Sequence, residues 1–243
     1  MKMRKYSIDL HIHSVLSPCA DLLMTPGNII KKAEEIGLDI IAITDHNSAA
    51  NLSSAMKIAE SKNIIIIPAM ELETAEEIHL LTFFPNLDKA MDMQKIVYKN
   101  LVDMKNDEEY FGYQIITDEN DEYIAKEKRL LSTALNLSLE EVVKKVREMG
   151  GFVIPSHINR SFGIINNLAF IPDHLDLSIL EIYKNENINE IVKEIPYLKN
   201  YKLIKNSDSH YLDDISIMME MELENYDFDN FFKKMKFGKF IVK

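Results

Sequence analysis

Two runs in the first third of the chain, DIIAIT at 39–44 and NIIIIPAM at 63–70, are apolar throughout instead of alternating. A strand with one wet face alternates, so unbroken runs of this length predict strands buried on both faces of a sheet. Amphipathic stretches separate them: Tyr6–Leu10 reads as extended, 26–36 as helical, 39–44 as extended, 48–61 as helical and 64–70 as extended. This order predicts a parallel sheet covered by helices. A further strand is expected at 78–84. The alternation resumes with a helix at 138–149, strands at 152–155 and 177–183, a helix at 188–194 and a strand at 201–204. Final strands at 217–223 and 239–242 flank a helix at 229–236.

Residues 86–137 interrupt this pattern with a long helical stretch, roughly 87–111, and the acidic run ITDENDEY. No Pro/Gly/Ser-rich linker divides the chain, so the expectation is one domain over residues 1–243 carrying an inserted, mainly helical subdomain at about 86–137. With 47% hydrophobic and 28% charged residues, the composition is that of a globular chain with a sizeable core. The net charge of −11 opposes non-specific binding to duplex nucleic acid. A single cysteine, Cys19, an N-terminus without an apolar h-region and the lack of a long apolar run predict a cytoplasmic protein with no membrane contact.

Of seven histidines, six sit in short polar clusters, most of which follow a predicted strand: His11 and His13 in DLHIH, His46 in TDH, His79 in EIHLL, His157 in PSHINR and His210 in SDSH. Barrel active sites are built at strand ends from several strands, so these clusters can converge. In an extended chain His11 and His13 face the same side, which makes half a metal site. Alone, such a pair is about as often structural as ligating. Glu71, Asp208 and Asp21 are candidate carboxylate ligands, although each taken singly is more often a solvated charge or a helix cap.

The motifs DLHIHS (9–14), SPCADLLMTP (17–26), ITDHNS (43–48), AMELET (69–74), EIHLL (77–81), PSHINR (155–160) and NSDSH (206–210) stand in an order that resembles the PHP superfamily of metal-dependent phosphoesterases. The resemblance covers most of the chain outside 86–137. It implies a distorted, TIM-like (β/α)7 barrel with a trinuclear centre. His11, His13, Glu71 and Asp208 would hold the first of three divalent metal ions, with Glu71 bridging to a second held by His79 and His157. Asp21, His46 and His210 would hold the third. Zinc, manganese and iron all suit imidazole and carboxylate ligands.

Many relatives carry a compact S-D-G-x-L-x-P element where this chain reads SPCADLLMTP, which leaves Cys19 as a rival to Asp21. Asp9 and Asp45 read either as groups that orient imidazoles or as strand-end caps. Arg160 reads as a phosphate clamp or as a solvated arginine, and His174 lies outside the pattern.

The expected reaction is hydrolysis of a small phosphomonoester or nucleotide phosphate by a hydroxide bridging two metals, with His210, Asp208 and Arg160 in catalytic roles. Short oligonucleotides are also candidate substrates. The rival readings are an amidohydrolase and a non-catalytic, metal-stabilised nucleotide sensor or scaffold. The inserted segment, attached beside His79 and His157, is expected to act as a lid or a partner surface. Oligomeric state is not legible.

Overall fold

The computed structural model describes residues 3–243. In chain order the strands are β1 (Arg4–Ile12), β2 (Ile40–Ile43), β3 (Ile65–Ile66), β4 (Ala69–Glu73), β5 (His79–Phe83), β6 (Ile115–Thr117), β7 (Tyr123–Lys126), β8 (Phe152–Pro155), β9 (Ile179–Glu181), β10 (Lys202–Ile204), β11 (Met219–Leu223) and β12 (Ile241–Val242). The helices are α1 (Pro26–Ile36), α2 (Leu52–Ala59), α3 (Leu87–Asn100), α4 (Leu139–Glu148), α5 (Ile164–Leu168), α6 (Ile188–Glu194) and α7 (Phe228–Lys236). Local chemistry sets several boundaries. Thr25 caps α1, Pro26 opens it and Gly37, at φ 79°, ends it in the left-handed conformation. Ser138 and Glu141 form a reciprocal capping box on α4. Helix α2 starts four residues later than predicted because Ser48 Oγ and Ala49 N both donate to Gln94 on α3, at 3.1 and 2.6 Å.

The fold is mixed α/β. The largest sheet has the order β12-β11-β1-β2-β3, with β1, β2 and β3 parallel and β11 antiparallel to β1. Strands β9 and β10 are parallel. The expectation of an all-parallel sheet fails at β4-β5-β8, which is antiparallel throughout. Only residues 74–78 join β4 to β5, too short a link for the crossover that parallel strands need. The predicted strand at 64–70 is two strands, because Pro68 has no N–H to give to a ladder.

Among the described residues the ladders form separate sheets rather than a closed barrel, joined near the histidines by the isolated parallel bridges Ile12–Ser209 and His46–Glu71. The strands nevertheless share one interior. Ile8 and Leu10, Ile40 and Ala42, Ala69, Leu81 and Phe83, Ile154, Ile179, Ile204 and Met221 form a single buried cluster that Phe231, Phe232 and Met235 of α7 complete. Alternate residues, such as Ile41, Ile43 and Leu80, pack outward with the helices in a second cluster. Burial on both faces is the physical origin of the unbroken apolar runs.

The segment at 86–137 is not mainly helical. Helix α3 stops at Asn100 because Leu101, buried and extended, bridges Leu135. The chain then runs irregularly into the β6–β7 hairpin. The acidic run is this hairpin's turn: Asp118 accepts from Asn120 N and Glu122 N, and Asp121 accepts from Gly27 N (2.9 Å) and Thr25 Oγ1 (2.6 Å) at the start of α1. No helix among the described residues is long and apolar enough to cross a membrane.

Candidate metal centre

Strand β1 delivers His11, with His13 one residue beyond its end; β2 is followed by His46, β8 by His157, and β10 by Asp208 and His210. Glu71 lies within β4. His79 begins β5 instead of following a strand, but β5 runs antiparallel to β4 and pairs His79 with Glu73, so it reaches the same end of the fold. Eight of the nine predicted ligands converge there, among them the groups His13–His46–His210, His11–His13–Asp208 and His46–Glu71–His79.

The buried carboxylate of Glu71 is the centre of this assembly. Five imidazole nitrogens surround it: His11 Nε2 at 3.4 Å, His13 Nε2 at 3.3 Å, His46 Nδ1 at 3.3 Å, His79 Nδ1 at 3.2 Å and His157 Nε2 at 3.3 Å. Asp208 Oδ1 stands 3.3 Å from His11 Nε2 and 3.5 Å from His13 Nε2. These separations are long for charge-assisted hydrogen bonds, which run about 2.7–2.9 Å. They match the edges of a coordination shell, since ligands about 2.1 Å from one ion stand roughly 3.0–3.4 Å apart. Glu71 Oε1 and His79 Nδ1 are buried and have no hydrogen-bond partner, although 3.2 Å separates them. Unpaired polar atoms at that depth are costly, and a shared cation would satisfy both. The residues present fit multiple metal sites.

A second layer fixes the rings. Glu181, buried at the end of β9, accepts from His11 Nδ1 at 3.1 Å, from Asn206 Nδ2 at 2.7 Å and from His157 N at 2.8 Å. In the neutral ring this makes His11 Nε2, facing Glu71, the nitrogen that carries the lone pair. Ser17 Oγ donates to Asp45 Oδ1 and so accepts from His13 Nδ1 at 2.9 Å, which presents His13 Nε2 in the same way. Asp45 thus orients His13 through a hydroxyl and also accepts from Ser14 N and Ser14 Oγ. Asp9 touches no imidazole; it accepts from Ser207 N and anchors the loop that carries Asp208 and His210.

Electrostatics divide the cluster. Burial opposes protonation of His11, but Glu181, Glu71 and Asp208 outweigh it and hold its pKa well above the usual value. Burial likewise opposes charge on Glu71 and Asp208, yet imidazoles, His79 and His11 for Glu71 and His11 and His13 for Asp208, keep both carboxyls well below their usual range. Desolvation and the neighbouring His13 push His46 well below its ordinary value and His210 down to about 4.

Asp21 stays outside these groups. Its backbone N–H donates to His210 O, but its carboxylate turns to accept from Leu23 N at 2.8 Å. Cys19 also stands apart, as an exposed free cysteine. Arg160 lies over the Tyr183 ring at 4.1 Å, with Nη1 3.6 Å from Asp208 Oδ2. It edges a cavity of about 200 Å³ shared with His13, His46, His79, His157, His210, Glu71, Asp208 and Phe162. His174 lies at the surface beside Glu140.

The sequence reading missed three residues. Glu181 ends a strand as many solvated carboxylates do, and only the fold places it behind His11. Glu73, two residues after Glu71 and so on its side of the strand, sits 3.6 Å from His79 Nε2. Phe162, at φ 63°, stacks on His79 with ring centroids 4.8 Å apart.

A model of the PHP domain matches residues 9–237. The chain is similar to YqxK, an uncharacterized protein of Bacillus subtilis, with 24% identity over 267 residues that cover 96% of this chain and 62% of that one. It is similar to the uncharacterized protein MJ1587 of Methanocaldococcus jannaschii, 24% identical over 205 residues, covering 77% and 92%. Among solved structures, the lesion-specific endonuclease PfuEndoQ of Pyrococcus furiosus superposes with a TM-score of 0.71 at 17% identity, covering 96% of this chain and 56% of that one. A candidate metal-dependent phosphoesterase of Bifidobacterium adolescentis gives 0.58 at 16%, covering 96% of both. The chain therefore spans less than two thirds of YqxK and of the endonuclease, and at these identities the structural likeness shows the fold alone.

Proposed function

This chain belongs to the PHP domain family, and from that premise we propose that it is a metal-dependent phosphoesterase acting on a small phosphomonoester or on the terminal phosphate of a nucleotide. The observation that carries this reading is the convergence of five imidazoles on Glu71 inside a cavity edged by a guanidinium. Divalent cations supply such a site with an activated water and with charge to neutralise a phosphate. Glu71 and Asp208 hold the negative charge that retains cations, and Glu181 keeps His11 in the tautomer that ligates.

Arg160 adds donors for a non-bridging phosphate oxygen, and its stacking on Tyr183 holds the guanidinium at the mouth of the cavity. His210 engages its Nδ1 proton with Asp208 O at 3.0 Å, which leaves Nε2 as a lone pair suited to ligation. The proton for the leaving group is therefore assigned to solvent, not to His210. The cavity accommodates a phosphate, with the rest of the ester lying outside against Arg160, Ser161 and Phe162.

The test is a panel assayed with manganese, zinc or iron: an aryl phosphate, mononucleotides, a short single-stranded oligonucleotide and a duplex. The duplex belongs in the panel because endonuclease Q is known in complex with a 27-mer duplex carrying an abasic lesion. The net charge of −11 sets the expectation that small esters are preferred. If metal content is confirmed and neither phosphate release nor strand cleavage follows with any of them, the hydrolase reading fails and a binding role replaces it.

A further inference from the structure

The segment at 86–137 is joined to the loop that carries His46 by buried side chains rather than by a hinge. Asn47, fully buried and left-handed at φ 47°, donates from Nδ2 to Leu131 O at 2.7 Å and to Thr133 O at 2.8 Å. Its Oδ1 accepts from Glu73 N at 3.1 Å, and its backbone N–H donates to Glu71 O at 2.9 Å. One side chain thus ties three pieces of chain together: the His46 loop, the strand of Glu71 and the returning end of the segment.

Asn51 repeats the device, donating to Ile115 O at 3.1 Å and Ser14 Oγ at 3.0 Å while accepting from Thr117 N at 3.1 Å. Gln94 of α3 accepts from Ser48 Oγ and Ala49 N. On the other side, Ile115 N donates to Val15 O, and Asp121 holds Thr25 and Gly27. A lid must release its contacts to open, whereas those of Asn47, Asn51 and Gln94 are for the most part buried and mutually satisfied.

We infer that residues 86–137 clamp the loops at 14–27 and 45–51, and that Asn47 is a positioning residue setting the metal affinity of the groups that contain His46. The inference rests on metal binding at this centre but not on phosphoester hydrolysis. Groups that orient ligands typically change metal affinity by about 10–100-fold when altered.

The experiment titrates cobalt(II) into the full chain and follows visible absorption, with thermal unfolding measured in parallel. Asn47→Asp keeps the shape and the tolerance of the left-handed backbone but turns an oxygen onto two carbonyls. It should weaken the His46-dependent part of the cobalt spectrum, defined by its loss in His46→Ala, by about tenfold or more. The part that His46→Ala leaves intact should be unchanged. Gln94→Leu, farther from the ligands and less demanding of the fold, should act in the same direction. Asn100→Ala, whose side chain bonds only Ile96 O within α3, should do neither. Unchanged cobalt binding in a folded Asn47→Asp or Gln94→Leu protein would overturn the clamp, as would equal weakening of both parts of the spectrum. A wild-type chain that takes up no cobalt would remove the metal-centre reading itself.

Discussion

The two halves of the centre are built on different principles. Around His11 the protein gathers carboxylates from three places, Glu71, Asp208 and Glu181, and the imidazole holds a proton against its burial. Around His46 and His210 the neighbours are mostly other imidazoles, with the His13 ring 4.5 and 4.4 Å away. There, protonation is suppressed. The first half is a preformed cation hole that protons fill when no metal is bound. In the second, His46 and His210 stay neutral, the geometry depends on surrounding loops, and Asp208 approaches His210 only at 3.7 Å. The difference teaches that the two halves should load with different affinities and different proton stoichiometries.

The largest expected effect tests the first half. His11→Ala and Asp208→Ala should each lower phosphate release by more than about a hundredfold, because removing a direct ligand exceeds the loss typical of an orienting group. Elemental analysis should show lowered metal content, and turnover within a few-fold of wild type would break the distinction. Glu181→Gln should weaken metal binding at the His11 half by roughly 10–100-fold and leave the His46-dependent cobalt spectrum in place. Equal losses in both halves would show that Glu181 supports the whole cluster.

Next comes the dependence on pH. Glu181, Glu71 and Asp208 raise the pKa of His11 well above the usual value against its burial, so metal uptake there competes with a proton. Affinity of that half should rise as pH increases from neutrality, by up to about tenfold per pH unit. His210, at about 4, is already neutral and adds no such slope of its own above about pH 5, whereas His79, raised to about 9 chiefly by Glu71 against its burial, adds a proton to be displaced where it binds. Calorimetry in buffers of different ionisation enthalpy measures the protons released, and a wild-type protein that releases none removes the contrast. The smallest effect concerns the clamp from outside: Asp121→Ala should cost about 1 kcal/mol of stability in denaturant, through the lost bonds to Gly27 N and Thr25 Oγ1 at the start of α1. It should leave the His11 half's metal affinity unchanged.

Much of this centre was legible because strand burial and ligand clusters both leave marks in sequence. Apolar runs located β2 and the stretch before Glu71, and the clusters after them located His46 and Glu71. Direction was not legible: an apolar strand reads the same parallel or antiparallel, and only the short link from β4 to β5 decides it. Helical pattern past Asn100 gave way to tertiary pairing of Leu101 with Leu135, which no local propensity encodes. Glu181 and Asn47 look like ordinary polar residues until the fold surrounds them. Asp21 is a candidate from its place in SPCADLLMTP, but a motif carries no information about side-chain rotation, and here the rotamer turns the carboxylate onto Leu23.

The pairing of β1 with strands far along the chain bears on the order in which the centre forms. Strand β1 is flanked by β11, Ile12 bridges Ser209, and Leu10 N donates to Asn206 Oδ1, 196 residues away in sequence. Contacts of such separation form slowly, so His11 and Asp208 meet only when this long-range pairing is made. A cation held between them would join the fold after that pairing and would not nucleate it.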